Sequence, residues 1–149
     1  MSATGLPTFD KTLHETNAWL RELMDTLHTD DRQAAYQVLR ATLHALRDRV
    51  GPENAVHMGA QLPMLLRGMY YEGWKMTKPA THERTETQFL TRVLAECPAQ
   101  LLLDAERATK AVFELLWNRM DEGEIIKIVH VLPAEVKALW PWAARDAHR

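Results

Sequence analysis

One cysteine, Cys97, stands in 149 residues, which excludes an intramolecular disulfide and any zinc cluster built on thiolates. Long apolar runs are missing too. The longest, at 64–66 and 101–103, fall far short of the roughly 20 residues that cross a bilayer, so no membrane partner is expected. Neither sign of charge dominates: 18 Lys and Arg stand against 20 Asp and Glu, a net charge of −2. The electrostatic footprint of a nucleic-acid binder is therefore absent, and no nucleic-acid partner is expected. Residues 1–7 carry neither a positive n-region nor an apolar h-region, so no signal peptide and a cytoplasmic setting are the expectation. What is present is a globular balance, 46% hydrophobic and 26% charged. A chain of this length buries about two-thirds of its unfolded surface and needs no metal or disulfide staple.

The few glycines and prolines fall where helices should stop. Phe9, Leu13, Leu20, Met24 and Leu27, widened by Trp19 and Leu23, follow three-to-four spacing and predict a long amphipathic helix over residues 8–29. Asp30, with Gln33 three residues on, reads as the cap of a second helix that continues through Val38, Leu39, Leu43, Leu46 and Val50 and stops at Gly51-Pro52. A short helix over 53–62 follows, then one that opens with Pro63 in its first turn and runs to about Trp74. Residues 75–81, with Pro79 among them, read as a linker. Beyond it the pattern resumes around Phe89, Val93 and Leu94, then from a cap at Asp104 through Ala108, Val112, Leu115 and Leu116. Gly123 separates that helix from one over 124–131, and Leu132-Pro133 opens a last short helix that ends at Trp140-Pro141. Ile125 to Val129 is the sole β-branched run and has no pairing candidate, so it is read as helix.

The chain also resembles itself. An ungapped offset of 70 places Leu46 on Leu116, Arg49 on Arg119, Leu62 on Leu132 and Pro63 on Pro133, with Val50 on Met120, Met58 on Ile128, Leu66 on Val136 and Tyr70 on Trp140. The expected fold is all-α, about eight helices in two tandem, sequence-related four-helix units packed as one bundle: residues 8–74, a linker over 75–81, residues 82–142 and a short tail over 143–149.

Chemistry is harder to find. No Glu-x-x-His pair recurs, no His-Glu-x-x-His occurs, and there is no Gly-x-Ser-x-Gly elbow or Gly-Lys-Ser/Thr phosphate loop. His44 with Asp48 and Glu53 with His57 share helical faces, but the offset partners of the two histidines, Glu114 and Lys127, repeat neither. The seven histidines read as scattered over the surface, and His130 as bonded to a neighbouring carbonyl. Arg40, Arg47 and Arg49 read as a solvated helix face. Cys97 reads as an inert half-buried thiol. No catalytic residue, cofactor or metal is expected. Tyr70 and Trp140 share an offset position and read as core. Tyr71, Trp74 and Trp142 exceed what one inward face holds, and aromatics with polar tips suit interfaces and pocket mouths. Together with Arg49 and Arg119, which suit either helix ends or an anion, they form the candidate partner or pocket surface.

The run Ala41-Thr-Leu-His-Ala-Leu-Arg-Asp-Arg49, followed by Gln61-Leu-Pro63 and Arg67-Gly-Met-Tyr-Tyr-Glu-Gly-Trp74, resembles the Domain of Unknown Function 2267 family of small prokaryotic proteins. The second half fits the same pattern at Asp104-Ala-Glu-Arg-Ala-Thr109, Leu132-Pro133 and Leu139-Trp140, but carries Val131 where the first has Gln61. The resemblance implies an all-helical, internally duplicated protein and carries over no activity, cofactor or functional residue. The leading expectation is a non-enzymatic helical module that acts through a protein partner or self-association, as in a homodimer. The alternative is a small-molecule-binding protein or enzyme with a pocket between the units, lined by Tyr71, Trp74 and either Arg49 or Arg119.

Overall fold

A computed structural model describes residues 2–99 and 104–146, so the apolar run at 101–103 lies outside the described residues. Nine helices and no strand occur among them: α1 (Pro7–Leu27), α2 (Arg32–Arg49), α3 (Pro52–Ala60), α4 (Met64–Tyr71), α5 (Glu86–Ala95), α6 (Ala105–Arg119), α7 (Glu122–His130), α8 (Ala134–Lys137) and α9 (Trp142–Asp146). The β-branched run Ile125–Val129 lies in α7, where Ile125, Ile128 and Val129 turn one face to the core.

Local chemistry sets most boundaries. The cap of α2 is Asp31 rather than the expected Asp30: its carboxylate accepts the Ala34 N–H at 3.0 Å, while the Thr29 hydroxyl takes the Asp31 N–H. No capping box forms there. One forms instead at α5, between Thr85 and Gln88. Asp104 caps α6 as expected, accepting from Glu106 and Arg107. Gly123 does not separate two helices. It sits in the first turn of α7, because Asp121 caps that helix by accepting the Glu124 N–H. Pro63 and Pro133 stand one residue earlier than expected, as the extended residues just before α4 and α8, with ψ of 150° and 157°. The helix expected to reach Trp74 stops at Tyr71, and the expected tail begins as α9, which buries Ala144.

The helices pack as one bundle. The central pair is α2 and α6, and each receives the first helix of the other half of the chain: α1 lies on α6, and α5 lies on α2. At the periphery α1 meets α4 and α5 meets α8 within their own halves, and α3 meets α7 across the halves. Positions 70 apart share their environment. Leu46 and Leu116, Val50 and Met120, Met58 and Ile128, Leu62 and Leu132, Leu66 and Val136, and Tyr70 and Trp140 are all buried. Phe9 departs from the expected inward stripe and is 46% exposed, since the packed face of α1 starts only at Thr12, whose hydroxyl accepts the Leu65 N–H.

Candidate functional site

A polar stripe on α2 is the unusual feature of this interior. Arg40, His44 and Arg47 stand at i, i+4 and i+7, one helical face. That face meets the C-terminal end of α4, whose last carbonyls have no intrahelical partner. His44 Nε2 donates to the Met69 carbonyl at 2.9 Å, and Arg47 Nη1 donates to the Tyr70 and Glu72 carbonyls at 2.7 and 2.9 Å. On its other side His44 Nδ1 lies 2.8 Å from Glu96 Oε2, beyond the end of α5, and Arg40 sits 3.6 Å from the same carboxylate oxygen. The histidines are therefore not all scattered over the surface: His44 is 2% exposed. The solvated face is corrected likewise, because Arg47 is 4% exposed. Each is buried because it supplies donors that the end of α4 lacks.

Beside this stripe lies a cleft of about 100 Å³, lined by Arg47 and Asp48 of α2, the Gly51-Pro52 turn, Arg92 of α5 and the strap that runs from Gly73 to Thr81. The strap is held at both ends. Arg47 fixes its start through Glu72, Gly73 turns the chain with φ of 70°, and the Thr81 N–H donates to the Asp48 carbonyl at 2.9 Å. Between these points the Lys78 N–H donates to the Lys75 carbonyl at 3.1 Å. Trp74 forms one wall, tilted against Tyr71 with ring centroids 5.5 Å apart. Tyr71 in turn fills the space over Gly59, where any Cβ would clash with its hydroxyl.

The cleft is cationic. Arg47, Lys75, Lys78 and Arg92 line it against one carboxylate, Asp48. Asp48 is already engaged by Arg47 Nε at 2.8 Å and Arg92 Nη2 at 2.9 Å. Burial pushes its carboxyl up, but the hydrogen bonds and charges of the two arginines outweigh burial and hold it below 3.8. A lowered folded pKa means stability that is present above the ordinary value and lost as pH falls through the lowered one. Asp48→Asn is thus expected to be less stable at neutral pH and to show a flatter loss of stability below pH 3.8. Urea unfolding at pH steps down to about 2 reads this difference as a smaller slope in the variant.

The sequence-nominated residues do not converge. Trp74 lines the cleft, whereas Tyr71 only backs it. Arg49 Nε donates to the Glu83 carbonyl at 2.9 Å, and Arg119 Nε donates to Glu22 of α1 at 2.8 Å; neither lines the cleft. Trp142 is 67% exposed on α9, beside a shallow groove shared with Lys110, Glu114 and Arg145. The residues missed were Arg47, Arg92, Lys75 and Lys78. The four-then-three spacing of Arg40, His44 and Arg47 was the available signal. Burial first, then the charge of Glu96, push the Cys97 thiol up, away from a nucleophile's range. No three His, Cys, Asp or Glu gather as metal ligands among the described residues, and no described helix is long and apolar enough to cross a membrane.

Residues 16–139 match the family model described as "Uncharacterized conserved protein (DUF2267)". No curated protein matches the chain.

Proposed function

The chain belongs to the DUF2267 family, and on that premise we propose that it is a binding module rather than a catalyst, with its recognition face in the Trp74 cleft. The observation that carries this reading is the lining itself. Four cations and an aromatic wall converge there, while the sole carboxylate is held by two arginines and is not free to act as a base. The reading includes two related units, residues 8–74 and 82–142, in support of which stand the matched burial 70 positions apart and the reciprocal packing of α1 on α6 and α5 on α2. On this view the strap over 75–81 joins the units, and the cleft takes residues from both units and the strap.

Native mass spectrometry of the protein purified from its own source tests the reading. A retained small molecule is expected in the wild type and absent from Trp74→Ala. A wild type that emerges at bare mass, and whose Trp74 indole signal does not move on addition of a metabolite extract, overturns it. Exposed Trp142 favours a second reading, self-association or capture of a protein partner through α9. Sedimentation velocity decides whether the chain pairs with itself: a dimer that Trp142→Ala turns to monomer supports pairing, and a strict monomer at high concentration removes it.

A further inference from the structure

We infer that the cleft takes a phosphate-sized oxyanion, free or as the terminal group of a small monoester. The inference rests on the binding-module reading above and adds the ligand's chemistry. Its first ground is uncompensated charge. Asp48 answers at most two of the four lining cations, and the ammonium groups of Lys75 and Lys78 have no ion pair or hydrogen bond among the described residues. Like charges gathered in one small space repel unless an anion joins them.

The second ground is that the two arginines are oriented by hydrogen bonds and the backbone that carries the two lysines is tied down. Lys75 and Lys78 sit on a strap tied to α2 through Glu72 and Thr81, and Arg92 is oriented by Asp48. The guanidinium of Arg47, buried beneath, uses Nε and Nη1 in its hydrogen bonds and leaves Nη2 without a partner among the described residues. Donors from α2 below and from the strap above can reach different oxygens of one ion, which suits a tetrahedral oxyanion with several oxygens better than a carboxylate with two.

Size supplies the third ground. About 100 Å³ corresponds to roughly three water molecules' share of liquid, room for one phosphoryl group and too little for a nucleoside, whose pockets span hundreds of Å³. Any organic remainder of a monoester would leave past Trp74, the apolar wall.

Titration with inorganic phosphate, phenyl phosphate and acetate at constant ionic strength tests the assignment, read from the Trp74 indole and the backbone amides of residues 75–81 in 1H–15N spectra. Saturable shifts with a phosphate compound and none with acetate are expected below roughly 10 mM. The double variant Lys75→Ala/Lys78→Ala, at exposed positions that the fold does not need, should weaken binding by on the order of tenfold or more. Phenyl phosphate binding about tenfold tighter than phosphate would identify a monoester as the source, and equal binding the free ion. No saturable shift with either phosphate compound, equal shifts with acetate, or undiminished binding by the double variant overturns the inference. A retained non-phosphate ligand that depends on Trp74 would overturn it while leaving the binding-module reading in place.

Discussion

Arg47→Ala is expected to destabilise the protein by about 3–5 kcal/mol, the cost of removing one member of a buried ionic network. Three groups lose a donor at once: the carbonyls of Tyr70 and Glu72 and the carboxylate of Asp48. The buried Tyr70 carbonyl, left without this partner, costs about 1–3 kcal/mol, and Asp48 keeps only Arg92. Urea unfolding gives the magnitude, and hydrogen exchange locates it, since protection should fall at the end of α4 and in the strap. Arg49→Ala is the matched control. Arg49 is half-buried and makes one hydrogen bond, to the Glu83 carbonyl, so a loss of about 1 kcal/mol is expected. Equal, small effects from both substitutions would show that the stripe on α2 does not hold the end of α4.

Trp140→Ala carries the second large effect, also about 3–5 kcal/mol, for a different reason. The Trp140 ring stacks on Phe113 with centroids 4.1 Å apart and planes 11° off parallel, and Phe113 leans on Phe89 at 6.0 Å. Its indole N–H has no acceptor among the described residues, so truncation breaks no hydrogen bond and the whole cost is lost packing and the cavity left behind. Tyr70, 70 positions earlier and equally buried, makes the contrast. Burial pushes its hydroxyl far up, so it stays protonated and donates to the Ala55 carbonyl at 2.6 Å. Tyr70→Phe removes that bond alone and is expected to cost about 1–3 kcal/mol. Thermal and urea melts of the two variants side by side separate a packing role from a bonding one, and a Trp140→Ala loss no larger than that of Tyr70→Phe would refute the assignment.

The legible parts of the molecule were those with local causes. The stripe from Trp19 to Leu27, the cap at Asp104 and the punctuation at Gly51-Pro52 all act within a turn or two of themselves. Misreadings began where two local choices were equal. Asp30 and Asp31 are the same residue type at adjacent positions, and only the approach of the Ala34 N–H selects the second. The larger error concerned α2. His44 and Arg47 were read as facing water because charge on a helix usually does, yet their partners lie 23 to 52 positions away, at Tyr70, Met69, Glu72 and Glu96. Trp74 lines the cleft beside Arg47 and Arg92, whereas the arginines read beside it in the sequence, Arg49 or Arg119, lie elsewhere.

By itself the sequence determined an all-helical chain of this family, the order of its helices and nearly all of its core, because helical periodicity and capping are properties of neighbouring residues. Tertiary structure alone decided which charges turn inward and where a cleft opens. A buried arginine or histidine is tolerable only opposite acceptors, and those acceptors, the frayed end of α4 and the carboxylates of Asp48 and Glu96, reach it only once α2, α4 and α5 have packed. The cationic cleft follows from the same packing, which brings Arg92 and the strap over the end of α2.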